Sequence, residues 1–304
     1  MFFLKKGRVT ANFKDSIVQK YVILTQIIKK MLHMTDSLGT TLTLEASPKR
    51  IISLVPSLTE TLYDLGLEDR IVGITKFCVH PIHFKFTKKI IGGTKKVHLE
   101  KIRLLQPDFI IANKEENTQE MVDDLRKICP VWVTDIATVA DVMQTISDFG
   151  QLFNCRTEAK KWNDKIVFAH ENFTRFIKDE PTKKAVYFIW KNPYMVAGSG
   201  TFIDQMLQLN RFENCFGHQN RYPELDLAHL EKEHDPELVF LSSEPYPFKD
   251  EDAFEIGRFT HHAKTVFVDG EMFSWFGTRL YQSFGYFMHL HERLKAHSKK
   301  EKVG

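Results

Sequence analysis

Cysteine is scarce in this chain of 304 residues, and its four cysteines, Cys78, Cys129, Cys155 and Cys215, lie far apart. No C-x-x-C pair occurs, which argues against a zinc ribbon or a thioredoxin-type redox site. The spacing is also unlike that of a small disulfide-stapled domain, so free thiols are expected. The fold must therefore depend on an ordinary hydrophobic core, for which an apolar fraction of 43% is typical.

Long apolar runs are also missing from the sequence. The most apolar stretch near the N-terminus, residues 21–32, is too short and too polar to cross a bilayer. No A-x-A-like cleavage site and no lipid-accepting cysteine precede Lys49. We therefore expect residues 1–47 to be an N-terminal tail, with Met34 as an alternative start and no stable membrane span. With no clear signal peptide, a cytoplasmic location stays open.

Strong charge and the common catalytic motifs are lacking as well. A net charge of +3 is too small to indicate a nucleic-acid partner. There is no G-x-S-x-G elbow, no phosphate-binding G-x-x-x-x-G-K-[ST] loop, and no G-x-G-x-x-G after a strand. We therefore expect the protein not to be an enzyme and to carry no cofactor of its own.

What the chain does contain is one pattern written twice. The first copy runs from R-I-I-S-L-V-P-S-L-T-E at Arg50 to Q-P-D-F-I-I-A, and the second from K-K-A-V-Y-F-I-W at Lys183 to D-P-E-L-V-F-L. Alternating strands and helices favour mostly parallel sheets covered on both faces. We predict an α/β fold of two Rossmann-like lobes, residues 48–137 and 181–298, joined by a long backbone helix over residues 138–180.

Local signals add two expectations to this outline. Ser57 is expected to cap the first helix, with Glu60 as its reciprocal partner. In the connector, Val142, Ile146 and Phe149 recur at helical spacing, which predicts a stiff link that limits hinge closure. Two alternatives stay open at Cys155-Arg156-Thr157, a kink or one continuous helix. Two lobes facing each other leave a cleft, where small ligands are usually held.

Six segments in unbroken order between residues 48 and 294 resemble the iron-chelate and cobalamin substrate-binding proteins of ABC transporters. They are R-I-I-S-L-V-P-S-L-T-E, V-G-I-T-K-F-C-V-H-P, I-G-G-T-K-K-V-H-L-E-K-I, Q-P-D-F-I-I-A, W-K-N-P-Y-M-V-A-G-S-G-T-F-I-D-Q-M-L and V-D-G-E-M-F-S-W-F-G-T-R-L. In that family the ligand lies between the lobes, against loops at the carboxyl ends of the strands, as is general for open α/β sheets.

The resemblance implies which residues would touch the ligand. The family's polar pair near the last strand falls on Glu271 and Trp275, so an acid is kept and an arginine is lost, and Arg279 one turn on could replace it. His80 could act as an axial ligand to a chelated metal. The full set of expected ligand contacts is Phe77, His80, Thr94, Met195, Tyr222, Glu271, Trp275 and Arg279.

The resemblance also implies a partner, an ABC permease that is contacted by one acidic residue from each lobe. Glu100 matches the first of these positions. The second falls on Ala228, which departs from the family pattern.

The chemistry of the loops fits a flat metal chelate. Aromatic faces and a thioether would pack on a corrin or porphyrin ring, and replacing Trp275 by alanine would test whether it stacks. The implied function is capture of a cobalamin-like or iron-chelate ligand (siderophore or haem) for uptake, at a periplasmic or membrane-associated location. The alternative is a cytosolic corrinoid or metal-chelate carrier or sensor on the same fold.

A bare metal site is the other reading of the loops, although it needs about three imidazoles and a carboxylate converging on one point. We expect no such site. His289, His291 and His297 on the last helix are read as surface positions. The candidate metal ligands near predicted loop ends are His80, His98, His229, Glu244 and Asp269.

Overall fold

The computed structural model describes residues 31–301, with side chains described as far as residue 296. The strands are β1 (Leu32–Thr35), β2 (Thr41–Leu44), β3 (Ile51–Ser53), β4 (Ile71–Ile74), β5 (Lys89–Ile90), β6 (Phe109–Asn113), β7 (Val131–Thr134), β8 (Lys183–Trp190), β9 (Met195–Val196), β10 (Phe212–Asn214), β11 (Leu238–Ser242) and β12 (Lys264–Val268). The α-helices are α1 (Pro56–Asp64), α2 (Phe84–Thr87), α3 (Leu99–Leu104), α4 (Gln119–Arg126), α5 (Val139–Leu152), α6 (Arg156–Ile177), α7 (Phe202–Leu209), α8 (Asp250–Gly257), α9 (Gly270–Ser274) and α10 (Leu280–Glu301).

Two sheets form the centres of the two lobes. The first has the strand order β5-β4-β3-β6-β7, and all of its pairs are parallel. The second has the order β10-β8-β11-β12, also parallel, with β9 added antiparallel to β8. The predicted fold class, two α/β lobes with mostly parallel sheets, is confirmed.

Strand β8 shows how the sequence builds the second lobe. Its side chains alternate between the two faces of the sheet because successive residues of a strand point in opposite directions. Tyr187 and Ile189 join a core that extends into the first lobe, whereas Val186 and Phe188 join a separate core on the other face. Both faces are therefore apolar, which explains the nearly continuous hydrophobic run of K-K-A-V-Y-F-I-W.

The connector between the lobes is two helices, where the sequence predicts one over residues 138–180. Helix α5 ends at Leu152 and α6 starts at Arg156. Between them, the ring of Phe153 packs 5.6 Å from that of Phe109, which anchors the turn on the first lobe. Of these two connector helices, α6 is the long one, with 22 residues and a length of about 33 Å.

The N-terminal segment differs from the expected tail. Strands β1 and β2 pair as an antiparallel hairpin, with Leu32 opposite Leu44. The hairpin is attached to the edge of the first sheet because Asp36 Oδ2 accepts a hydrogen bond of 3.2 Å from the amide of Val133. Residues 31–47 therefore belong to the first lobe, and the rest of the predicted tail, residues 1–30, lies outside the described residues.

The last helix, α10, corrects the assignment of His291 as a surface position. Its side chain is buried, stacks on Phe212 at 5.0 Å between ring centroids, and donates from Nε2 to Asn210 Oδ1 at 3.2 Å. Burial lowers the pKa of this imidazole to about 4. Across residues 31–301, we find no helix with the length and apolarity that a membrane span requires.

Candidate functional site

The loops at the carboxyl ends of β3, β4 and β6 in the first lobe meet the loops that follow β11 and β12 in the second. Charged side chains make the closest contacts across this boundary. The central one is Arg279, whose guanidinium forms two 2.8 Å contacts with the carboxylate of Glu60. Both side chains are largely buried, with 6% and 11% of their surface exposed. A paired charge of this kind joins the two lobes directly.

Glu60 therefore does not act as the expected capping partner of Ser57. Helix α1 begins after Val55 with Pro56 in its first turn and has no side-chain cap. Ser57 and Glu60 are both buried, so the predicted capping box is wrong. Burial raises the pKa of Glu60, and the neighbouring charge of Arg279 opposes that rise.

Glu271 lies next to the pair of Arg279 and Glu60 and is more exposed than either of them. Its carboxylate accepts a 3.0 Å hydrogen bond from Nε2 of His80 in the first lobe and lies 3.2 Å from Nη1 of Arg279. Glu60 and His80 of the first lobe and Arg279 and Glu271 of the second thus form one continuous chain of polar contacts. We call these four residues the interlobe clasp. Three of the predicted ligand contacts, His80, Glu271 and Arg279, lie in it.

Trp275, a fourth predicted contact, lies against the clasp. Only 6% of the residue is exposed. The Arg279 guanidinium lies 5.1 Å from its ring centroid, and the His80 ring meets it edge-on at 5.4 Å. A flat ligand could stack on this indole only if the lobes moved apart and released one of those neighbours.

Glu244 is a further acid at this end of the cleft. It follows β11 and accepts hydrogen bonds from Trp275 Nε1 at 2.7 Å and from Ser274 Oγ at 2.9 Å. Burial raises its pKa to about 7, and the negative charge of Glu271 adds to the rise while the two hydrogen bonds oppose it. The carboxyl is thus held where protonation is easy near neutral pH.

A second contact between the lobes lies at the ends of β6 and β7. Arg221 of the second lobe is 3.4 Å from Glu115 of the first. Burial, together with the charge of Glu115, raises the pKa of the Tyr222 phenol. The Glu115 oxygen that faces Arg221, Oε1, is buried and pairs with that guanidinium without a hydrogen bond of normal geometry.

The neighbours of Glu115 complete this side of the cleft. The backbone carbonyl of Thr94 accepts a 2.8 Å hydrogen bond from Asn117, so the Thr94 loop is held by the turn after β6. Burial raises the pKa of Glu116. The positive charge of Lys95 opposes this rise, and the negative charge of Glu115 adds to it. Met195, in the short strand β9, is half-buried and packs against the main core.

A polar cavity of about 580 Å³ opens beside the second contact. This volume is in the range of small-molecule sites. Side chains and backbone of both lobes line it, namely Ser37, Lys114, Asp135, Ala137, Asp141, Gly200, Asn220 and Arg221.

Phe77 is the predicted contact that presents its face to solvent. It follows β4 and is 48% exposed, with the Lys76 ammonium 4.9 Å from the ring centroid. His80, three residues later, ties the same loop to the clasp through Glu271. An exposed aromatic beside the lobe boundary matches what a flat ligand would need.

The expected docking residues lie away from these contacts. Glu100 is exposed in the first turn of α3, where it pairs with Arg103. Ala228 is exposed in a short 3₁₀ segment, Leu227–His229, of the second lobe. Both positions are thus open to a partner.

The histidines proposed as bare-metal ligands do not converge. Within the described part of the chain, the side chains close enough to share an ion are Glu231, Asp235 and His262, and they lie outside the cleft. There the imidazole lies between the two carboxylates, with Nδ1 3.6 Å from Glu231 and Nε2 3.1 Å from Asp235. The two ring nitrogens of His262 thus face different carboxylates.

Sequence reasoning did not single out Glu60, Glu115, Glu116 and Arg221 as site residues. The available signal was position, since Glu115 and Glu116 follow the buried strand F-I-I-A-N after one intervening residue, Lys114. Position alone does not assign them to a site, because nothing in the sequence shows that Tyr222 will lie opposite.

Comparison with known proteins agrees with this architecture. Residues 51–260 match the family described as periplasmic binding protein. The substrate-binding lipoprotein YvrC of Bacillus subtilis, from an ABC transporter and itself uncharacterised, is 27% identical over 202 residues, 62% of this chain and 62% of its own length. A vitamin B12-binding protein of Vibrio parahaemolyticus is 24% identical over 198 residues, 64% of this chain and 70% of its own. The chain thus spans less than two thirds of the first of these relatives.

A solved structure shows the same fold. The periplasmic vitamin B12-binding protein of Vibrio cholerae superimposes with a TM-score of 0.70 at 17% identity, over 80% of this chain and 96% of the other. At that identity the similarity establishes the fold alone.

Proposed function

Because the chain belongs to the periplasmic binding protein family, we propose that it captures a cobalamin-like or iron-chelate ligand between its lobes and presents it to an ABC permease for uptake. The observation that carries this proposal is the meeting of strand-end loops from two parallel sheets, with Phe77 exposed beside the boundary. The family assignment also supports the expectation that the chain is a binding protein and not an enzyme.

The ligand contacts proposed are the predicted eight, in two groups. Phe77, Thr94, Met195 and Tyr222 would contact the ring and its substituents. His80, Glu271, Trp275 and Arg279 are engaged with one another or with Glu60, so their contact with a ligand would require the clasp to open. Opening would replace hydrogen bonds within the protein by hydrogen bonds to the ligand. A ligand that binds the open arrangement more tightly than the closed one would shift the equilibrium toward the open arrangement.

Titration with three coloured probes, namely cyanocobalamin, haemin and a ferric siderophore, tests the proposal. At least one should quench tryptophan fluorescence saturably and shift its own absorption spectrum. Phe77→Ala should weaken that binding about tenfold, the loss of roughly 1.4 kcal/mol expected for an aromatic stacking partner. Phe168→Ala is the matched control, since Phe168 on α6 is likewise exposed and is not among the eight proposed contacts. No response to any probe would refute the proposal.

A periplasmic or membrane-associated location and docking through Glu100 belong to the same proposal. Glu100→Arg should leave ligand affinity unchanged and reduce ligand uptake in cells. The runner-up, a cytosolic carrier or sensor, is favoured by Ala228, which removes the second acidic docking position. Cell fractionation with an antibody to the chain separates the two, because a carrier or sensor would be found in the cytosolic fraction.

A further inference from the structure

Three side chains of the second lobe converge at a place that the proposed function does not use. One ligand atom each from Glu231, Asp235 and His262 lies within 4.8 Å of the other two. The imidazole lies between the carboxylates, with Nε2 3.1 Å from Asp235 and Nδ1 3.6 Å from Glu231. None of the three is among the candidate metal ligands at the cleft.

The register of the second sheet brings these residues together. Strands β11 and β12 are parallel, and their first residues, Leu238 and Lys264, are paired. Asp235 lies three residues before β11 and His262 two residues before β12, so both lie at the amino-terminal edge of the sheet. The cleft lies at the opposite edge, where the carboxyl end of β11 leads into Glu244. The cluster is therefore separate from the proposed ligand site.

The turn that carries the two acids is held by hydrogen bonds of the chain itself. Leu230–His234 is a single π-helical turn, and Asp235 ends it in the left-handed region with a φ of +44° and donates from its amide to the carbonyl of Glu231 at 3.1 Å. The amide of His261 donates to Glu231 Oε2 at 3.0 Å, while the other oxygen, Oε1, faces His262. Outer partners that orient a carboxylate in this way are typical of metal sites.

We propose that Glu231, Asp235 and His262 bind one divalent transition-metal ion, such as Zn²⁺, with solvent in the fourth position. One imidazole nitrogen and two carboxylate oxygens are ligands that zinc accepts, whereas Ca²⁺ and Mg²⁺ prefer oxygen alone. Around a tetrahedral ion with bonds of about 2.1 Å, the ligand atoms lie about 3.4 Å apart. The three side chains are close to that spacing, and Asp235 and His262 are exposed, so a rotation of their side chains closes the difference.

An ion at this place would tie the turn before β11 to the loop before β12. In the metal-free chain these segments are linked across the site by the exposed ion pairs of His262 and by the amide of His261. Exposed ion pairs contribute little to stability, whereas an ion that binds only the folded chain stabilises it in proportion to its own affinity. The other account of the same geometry is a plain ion-pair network, which would show no dependence on metal.

Titration with ZnCl₂ tests the site. The full chain, without a histidine tag and freed of metal by EDTA and dialysis, is titrated by isothermal calorimetry at pH 7.5. We expect saturable binding of one ion per chain and an unfolding temperature that rises with the concentration of ZnCl₂. CoCl₂ serves as a second probe, because Co²⁺ in a tetrahedral site absorbs visible light more strongly than Co²⁺ in water.

Variants locate the ion. His262→Ala removes the nitrogen ligand and should weaken Zn²⁺ binding at least about tenfold, since the loss of an outer partner of a ligand already costs that much. Asp235→Asn should have a similar effect, and asparagine tolerates the left-handed backbone of this position. His289→Ala is the matched control and should leave the affinity unchanged. His289 is also exposed and lies 3.2 Å from one carboxylate, that of Glu292, but within the described residues it belongs to no group of three ligands.

Unfolding temperatures in EDTA separate metal binding from folding. The parent and all variants should unfold at similar temperatures there, and the response to ZnCl₂ should be lost in His262→Ala and kept in His289→Ala. If His262→Ala destabilises the metal-free chain, Asp235→Asn decides. Binding that does not saturate, or that both cluster variants retain, would mean an adventitious ion only and would overturn the inference. Zinc binding does not rest on the proposed function, so a failed titration with coloured chelates would leave it standing.

Discussion

Replacing Arg279 by methionine tests the interlobe clasp most directly. Methionine fills much of the same space and keeps an apolar contact with Trp275, so the change removes mainly the charge and its hydrogen bonds. What remains is the Glu60 carboxylate, 11% exposed and without its two 2.8 Å partners. The question is how much folding free energy that orphaned carboxylate costs.

The expected cost of Arg279→Met is about 3–5 kcal/mol, the usual penalty for removing one partner of a buried ion pair. Glu60 can reduce it by taking up a proton, since burial already raises its pKa. A carboxyl with a raised folded-state pKa binds more protons when folded, so its presence lowers stability as pH rises above its unfolded value of about 4.5. The penalty should therefore be larger at pH 8 than at pH 5.

Urea denaturation followed by circular dichroism and tryptophan fluorescence measures this cost. Glu60→Met alone should also destabilise, because it leaves Arg279 with only Glu271. The double variant Glu60→Met with Arg279→Met should recover much of the loss, since an apolar pair can replace a buried ion pair at little cost. A loss below about 1 kcal/mol for Arg279→Met, or a double variant whose loss is the sum of the two, would refute the reasoning.

Three further predictions concern single side chains. Burial lowers the pKa of His291 to about 4, so between pH 4 and about 6.5 the unfolded chain binds a proton that the folded chain does not. The free energy of unfolding should therefore fall by up to about 3 kcal/mol as pH drops through this window. His291→Gln should flatten the corresponding fall in urea midpoints measured from pH 7 to pH 4. Glu244, with its pKa raised to about 7, acts in the opposite sense, so stability should decline as pH rises from about 4.5 to 7, and Glu244→Gln should remove that decline; an unchanged pH profile in the variant would contradict the assignment. Gly277 has a φ of +91° and a β-carbon there would overlap the Thr61 hydroxyl of the facing lobe, so Gly277→Ala should cost at least about 1–3 kcal/mol in denaturation, whereas Gly257→Ala, where the space is open, should be neutral or stabilising.

Much of the fold could be predicted from the pattern of the chain. The strands near Ile71, Phe109 and Leu238 and the helix near Phe202 lie where hydrophobic periodicity places them. The apolar residues of such a helix or strand recur with its own period, so the sequence of that segment alone is enough to predict it. The hairpin of β1 and β2 was missed because its strands, with exposed alternate residues, become stable only on the edge of β7.

The candidate site was predicted in part. The strand-end loops were identified by resemblance, and Phe77 does lie exposed beside the lobe boundary. The role of Glu60 could not be predicted from its neighbours in the sequence, because a glutamate three residues after a serine has the same pattern whether it caps a helix or is buried against the other lobe. His291 was read as a surface residue for the same reason, since its partner Asn210 lies 81 positions away.

The amino-acid sequence by itself determined two parallel sheets, their covering helices and the family to which the chain belongs, because periodicity and motif order are properties of neighbours along the chain. Only the tertiary structure decided which charges meet between the lobes. Pairs such as Glu60 with Arg279, separated by 219 positions, depend on how two independently built lobes are placed against each other, and no local pattern encodes that placement.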